Sequence, residues 1–272
     1  MPPINLVENS RNSTEPLLSE AELERYSRQL QSETFGGQRA QASLRSASVA
    51  VSRCGGVGGT CAMLLARAGI GKLVLAHGGR VLRENLNRMH LAYTEDLNRP
   101  YTEAFEEKLR AINPDVELTS IAQNIGEDNV DEFVSGADIV ADGAPLFEER
   151  YAMNGEAVRR RKPLVSGAMY DLEGYVTTIV PGETPCLACI YPVRPDYWID
   201  AHVFPVLGPI STIVGAIMAM EVIKLVTGTG ETLKGRLWRI DLQQNVARQF
   251  IVKRREDCEV CGSKASQLST RA

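Results

Sequence analysis

Several things are scarce in this chain, and each scarcity excludes something. Across 272 residues there is no excess of basic charge: 30 Lys and Arg stand against 34 Asp and Glu, for a formal charge of −4. Nothing here resembles the cationic field that nucleic-acid binders use, so DNA and RNA are not expected partners. Long hydrophobic runs are missing as well. The most apolar stretch, Ile210 to Met220, is too short to span a bilayer and is followed at once by Glu221 and Lys224, which predicts a buried helix and no membrane span. No internal repeat is present. Cysteine is limited to six residues and no secretory signal is read, so a reducing, cytoplasmic setting is expected, in which paired cysteines bind metal rather than form disulfides.

The cysteines that are present are grouped. Cys186-Leu-Ala-Cys189 and Cys258-Glu-Val-Cys261 are two C-x-x-C pairs far apart in the chain. Four thiolates from two tight turns are the donor set of one tetrahedral structural Zn²⁺. The alternatives are a redox C-x-x-C, which needs only one pair beside a strand and helix start, and coincidence.

Residues 1–19 are polar and without hydrophobic period, and are expected to be a tail. Ser19 and Glu22 form a capping-box pattern ahead of a helix through Arg25, Tyr26 and Leu30. Strands are then expected at 48–52, 72–76, 116–120, 138–141 and 163–166, alternating with helices at 57–68, 103–112, 130–135 and 147–161. This alternation implies an α/β fold: a Rossmann-like, doubly wound, mostly parallel sheet. After Gly167 the rhythm changes to longer alternating runs at 174–180, 236–242 and 246–253, expected as an antiparallel C-terminal extension that caps the sheet rather than continuing it. A helix from Pro209 to Val226 lies between them, with Gly228 past its end. The expected organisation is one domain over 20–262 with a frayed tail at 263–272.

Ser52-Arg-Cys-Gly-Gly-Val-Gly-Gly59 follows the first strand and opens the first helix of the sheet. Glycines there let the backbone approach a phosphate at a helix N-terminus, which makes Gly55, Gly56 and Gly58 candidate cofactor-binding residues. Arg53 stands where the first glycine is expected and places a guanidinium near the phosphate position. The other reading is a tight turn that holds nothing. At the end of the second strand, where an acidic residue would bind ribose hydroxyls, the chain has Ala76-His77-Gly78-Gly79. His77 could donate to a ligand, but the position reads better as a solvent-exposed histidine.

Taken in order, Arg25-Tyr-Ser-Arg28-Gln, Gly55-Gly-Val-Gly58, Asn85-Leu-Asn-Arg88, Ala111-Ile-Asn-Pro114, Arg150-Tyr-Ala-Met-Asn154, Val206-Leu-Gly-Pro209 and both cysteine pairs resemble the ThiF/MoeB/HesA family from about residue 20 to 262. The resemblance implies an ATP-dependent adenylyltransferase, usually a homodimer, that activates the C-terminal glycine of a ubiquitin-like sulfur carrier, with zinc tying the C-terminal segment to the loop over the carrier tail. Arg28 matches the family's arginine finger into a partner subunit, and Asn85 and Arg88 match its nucleotide-contacting Asn-x-x-Arg. Other positions depart. His77 and Gly79 replace the acidic pair, Tyr101 replaces a lysine, and Pro145-Leu146 stands where the Mg²⁺-holding Asp-Asn belongs. Ala201 occupies the place of a cysteine some members use. Asp142 survives at a strand end and reads equally as a turn cap or a metal ligand. Cys61 is expected to be buried and inert, while Cys54 sits where a helix N-terminus could lower its pKa.

These departures leave ATP and Mg²⁺ in question as cofactors. One expected function is a divergent member that binds a carrier or peptide tail without ordinary adenylylation, as a homodimer or paired with an active relative whose site Arg28 would serve. The alternative is an adenylyltransferase whose pocket is rebuilt from Arg53, His77, Arg88 and Asp142.

Overall fold

The computed structural model describes residues 17–193 and 204–262. The expected tails fall outside the described residues, apart from 17–19, as does Ala201. The ordered chain opens on the capping box: Ser19 Oγ accepts from the Glu22 amide at 3.3 Å and the Ser19 amide donates to the Glu22 carboxylate at 2.8 Å. Three helices follow, α1 (Glu20–Arg25), α2 (Ser27–Leu30) and α3 (Gly37–Ser46). The third is absent from the sequence expectation. It is mostly polar and buries only Ala40, Gln41, Ala42 and Leu44, too little apolar content to advertise a helical period.

The α/β unit then runs β1 (Ser48–Ser52), α4 (Val57–Ala68), β2 (Lys72–Ala76), α5 (Tyr101–Ile112), β3 (Glu117–Ile121), α6 (Val130–Ser135), β4 (Ile139–Asp142), α7 (Phe147–Arg160) and β5 (Leu164–Tyr170). After β5 come β6 (Glu173–Ile179), the single turn α8 (Leu187–Ile190), α9 (Gly208–Thr227), β7 (Arg236–Asp241) and β8 (Val246–Ile251). All eight strands form one sheet in the order β3-β2-β1-β4-β5-β6-β7-β8. Pairing is parallel from β3 to β5 and antiparallel from β5 to β8. The expectation that the C-terminal half caps the sheet is therefore corrected: β6, β7 and β8 continue it. The link is β5, which runs four residues past its expected end at Ser166. Gly167 looked like a breaker, but it is the place where α9 crosses the strand, and a Cβ there would lie 2.2 Å from Met218 Sδ.

Alternation along the central strands feeds two cores. Val49 and Val51 of β1 and Leu73 and Leu75 of β2 pack with α4, α5 and α9. Ala50 and Val74 point the other way, into the layer of α6 and α7 that also holds the four grouped cysteines. Burial on both faces explains why these strands read as near-continuous apolar runs. By length and composition α9 could cross a membrane, but its buried residues, Ile210, Val214, Met218 and Val222 among them, belong to the first core.

Packing of α9 on α4 depends on Gly215, where an added Cβ would meet the Val57 carbonyl at 2.5 Å and Thr60 Cβ at 2.7 Å. Backbone cannot yield as a side chain can. Gly215→Ala should therefore cost about 1–3 kcal/mol in a urea melt, and an unchanged midpoint would show that the two helices can part without loss.

Candidate functional site

The two cysteine pairs meet. Cys186 precedes α8, Cys189 lies within it, and Cys258 and Cys261 lie beyond β8; all four are buried, with Sγ atoms within 4.8 Å of one another. Cys186 and Cys258 are 3.7 Å apart and Cys189 and Cys261 3.4 Å. A zinc with Zn–S bonds of about 2.3 Å has tetrahedron edges of about 3.8 Å, so the four thiols fit Zn²⁺. At Cys258 the surrounding backbone favours a thiolate. Burial opposes ionisation of Cys258, yet amide donors at Cys261 and Val260 and the adjacent cysteines pull it down to about 7, while burial pushes Cys186 and Cys189 up. The cage is braced from α7, where Asn154 Oδ1 accepts from the Leu187 amide at 2.9 Å and Tyr151 donates to the Tyr191 carbonyl at 2.5 Å. The purified protein should carry one zinc per chain by elemental analysis, and Cys258→Ser should lose the metal and lower the melting temperature. A metal-free wild type from zinc-replete cells would contradict this.

On the carboxyl side of the sheet, the turn from β1 to α4 opens onto a cavity of about 350 Å³. The turn is tight because of its glycines. A Cβ at Gly58 would lie 2.4 Å from the Ser52 carbonyl, and one at Gly55 would lie 2.8 Å from Met89 Cε. Gly55, Gly56, Arg53, His77, Asn85 and Arg88 all line the cavity, so the structure brings together six of the residues expected there. Gly58 sits behind them as the close-approach point between strand and helix. Arg28 and Asp142 are not in its wall. Arg28 is exposed on α2.

The side chains in the wall are committed in specific ways. Arg53 has a left-handed backbone, φ 49°, and its guanidinium grips Glu149 with Nε at 2.8 Å from Oε2 and Nη2 at 2.5 Å from Oε1. Arg88 donates to the Glu84 carbonyl at 2.7 Å and to Asn87 Oδ1 at 2.9 Å, and lies 6.0 Å from the centre of the Phe204 ring. Asn85 is buried, and its Oδ1 accepts from the Leu82 amide at 2.8 Å and from the Tyr101 hydroxyl at 2.5 Å. Asp142 is fully buried; it pairs with Arg150 Nε at 3.1 Å and accepts from Ser166 Oγ at 2.8 Å and the Ala144 amide at 3.0 Å. Its carboxylate thus caps a turn and balances Arg150 within the fold. No carboxylate lines the cavity among the described residues. The described residues of the wall thus offer Mg²⁺ no carboxylate ligand.

His77 is the clearest correction. It is not exposed but 5% accessible, with its ring stacked on Tyr101 at 4.1 Å, and its Nδ1 has no hydrogen-bond partner among the described residues. Burial, then the charges of Arg53 and Arg88, depress its pKa to about 3. A reactive role for Cys54, the less favoured reading, finds no support. The thiol is buried, donates to the Val51 carbonyl at 3.2 Å, and burial pushes it up to about 12 rather than the helix terminus pulling it down. Cys61, as expected, is buried, and burial raises its pKa. Sequence reasoning missed Glu149. It lies 96 positions from Arg53, and the one signal for it was that an arginine tucked into a glycine turn needs a counter-charge.

A histidine held neutral in the fold takes up its proton more readily once unfolded. Its contribution to stability is complete above about pH 6.5 and is lost as the pH falls toward about 3. His77→Phe, which keeps the stack, should flatten the fall in unfolding free energy between about pH 6.5 and 4.5 by up to ~1.4 kcal/mol per pH unit. Equal slopes in urea melts of the two proteins would show that the imidazole is not held neutral.

A mostly parallel doubly wound sheet, a glycine turn at its carboxyl edge and a four-cysteine cage beside an antiparallel extension define a nucleotide-fold protein with four thiols that could hold a structural metal. The ThiF family model matches residues 26–260. The chain is 42% identical over 248 residues to the heterocyst HesA protein of Trichormus variabilis, covering 91% of this chain and 92% of that one. It is 31% identical to the sulfur carrier protein ThiS adenylyltransferase of Escherichia coli K12, over 90% and 97% of the two chains. Among solved structures, E. coli MccB with MccA-N7isoASN superposes with a TM-score of 0.78 at 25% identity, covering 88% of this chain and 75% of MccB. The chain belongs to the ThiF family.

Proposed function

We propose that this protein binds the C-terminal tail of a sulfur-carrier protein or peptide without ordinary adenylylation, alone or paired with a catalytically competent relative. The observation that carries the reading is the make-up of the cavity wall, where Arg80, Arg88 and an Arg53 already paired with Glu149 are present and no carboxylate is found among the described residues. An adenylyl transfer is catalysed by positioning and by neutralising phosphate charge, chiefly with a metal held on carboxylates. Removing one such group can cost about 10²–10³ in rate. Here the metal carboxylate position is Pro145, the ribose positions are His77 and Gly79, and the lysine position is Tyr101. The names of relatives support the kind of partner, since one acts on the sulfur carrier ThiS and the MccB structure is with an MccA peptide. Arg28, exposed and outside its own cavity wall, is compatible with a role at a second subunit's site.

A second reading, an adenylyltransferase with a remodelled site, is favoured by one observation: the cavity on the glycine turn is open, with Arg88 and Asn85 in its wall. Calorimetric titration with Mg-ATP, with and without candidate carrier proteins, separates the two. The first reading expects no heat with nucleotide and saturable binding of a carrier or relative. Micromolar Mg-ATP binding followed by pyrophosphate release, both abolished by Arg88→Ala, would establish the second in its place.

A further inference from the structure

We infer that Glu149 is a specificity-determining residue of the cavity: an anion built into the fold that occupies the Arg53 fork and turns the site against polyphosphates. Arg53 stands in the turn at the N-terminal end of α4, where the backbone offers unpaired amides and a partial positive charge. A guanidinium added there would ordinarily strengthen a phosphate site, because its paired N–H donors match phosphate oxygens two at a time. In this protein that pairing is already used. Glu149, from the first turn of α7, has a side chain only 7% exposed and engages both Nε and Nη2, while the Arg53 side chain keeps 20% exposure toward the cavity. The carboxylate does not reach the wall itself.

The effect on ligands follows from charge. An arriving polyphosphate meets an arginine whose field is cancelled by a buried carboxylate in direct contact, and breaking that contact would leave Glu149 unpaired in a dry environment. A ligand with a single carboxylate needs no such exchange, since Arg88 and the helix terminus remain for it. His77, also in the wall, is held neutral by burial and by Arg53 and Arg88, so it offers an arriving anion no charge; its buried Nδ1 has no hydrogen-bond partner among the described residues. The inference deepens the tail-binding reading by naming what excludes the nucleotide phosphates, and it rests on that reading only in taking the cavity as an anion site.

The test uses the zinc-loaded protein and inorganic pyrophosphate without metal. Glu149→Gln should bind pyrophosphate roughly tenfold more tightly than the wild type, and adding Arg53→Gln should remove the gain. In the wild type, titration with pyrophosphate should leave the Arg53 Nε–H resonance in place and shift that of Arg88, a measurement that needs no variant to fold. The inference is overturned if Glu149→Gln shows no gain, including no measurable binding at millimolar pyrophosphate, if the gain survives loss of Arg53, or if the wild-type Arg53 resonance moves to saturation. Failure of the wild type to bind any carrier tail would instead sink the tail-binding reading and leave the order of pyrophosphate affinities as it is.

Discussion

The site depends on one close approach. Strand β1 passes into α4 with Gly58 pressed against the carbonyls of Ser52 and Arg53, and Gly143, just past β4, closes on Gly58 from the other side, where a Cβ would sit 2.8 Å from the Gly58 amide. With β2 on one side of β1 and β4 on the other, the sheet order reverses direction here, which opens a crevice at the carboxyl ends of the strands. Any side chain at Gly58 would push the helix away from the sheet and its N-terminus out of that crevice. Two features described separately share this cause: the place of the cavity at the carboxyl edge of the sheet, and the left-handed backbone of Arg53, which the turn imposes on a residue other than glycine.

Arg53 shows how the fold accommodates such a residue. A non-glycine residue in the left-handed region costs on the order of 1 kcal/mol, and a buried guanidinium without a counter-ion would cost more. Glu149 removes the second cost and helps fix the side chain against the first. The same logic governs Asp142 and Arg150, deeper in the sheet, where the ion pair is supplemented by Ser166 and the Gly167 carbonyl. These two carboxylates, Glu149 and Asp142, are thus absorbed into internal pairs.

Much of the fold was legible because its signals are local. The apolar runs of β1 and β2, the capping box at Ser19, the glycine past α9 and the C-x-x-C spacing each depend on residues within a few positions of one another. What could not be read depends on contacts between distant segments. Gly167 reads as an interruption until α9 is seen lying across it. His77 reads as exposed because a histidine among glycines lacks any apolar period, yet Tyr101 and Phe105, from the helix that follows, enclose it. A helix terminus near Cys54 could lower its pKa, but full burial outweighs that field. In the candidate site the glycines and arginines were found by position, whereas the partner that decides what Arg53 can do was not.

The changes in the pocket share a physical direction. Where the family pattern places carboxylates and a lysine for a nucleotide, this chain places groups that bind one another: the imidazole of His77 stacks on the ring of Tyr101, and the Tyr101 hydroxyl donates to Asn85, which in turn holds the Leu82 amide. An aromatic pair of this kind contributes about 0.5–1.5 kcal/mol beyond the area it buries. Groups that stabilise the walls thus stand where charged, solvent-facing groups would be costly to keep. Catalytic groups are usually maintained at the expense of stability, and this wall runs the other way. A four-cysteine cage and a full sheet beside a pocket walled in this way agree with the tail-binding proposal.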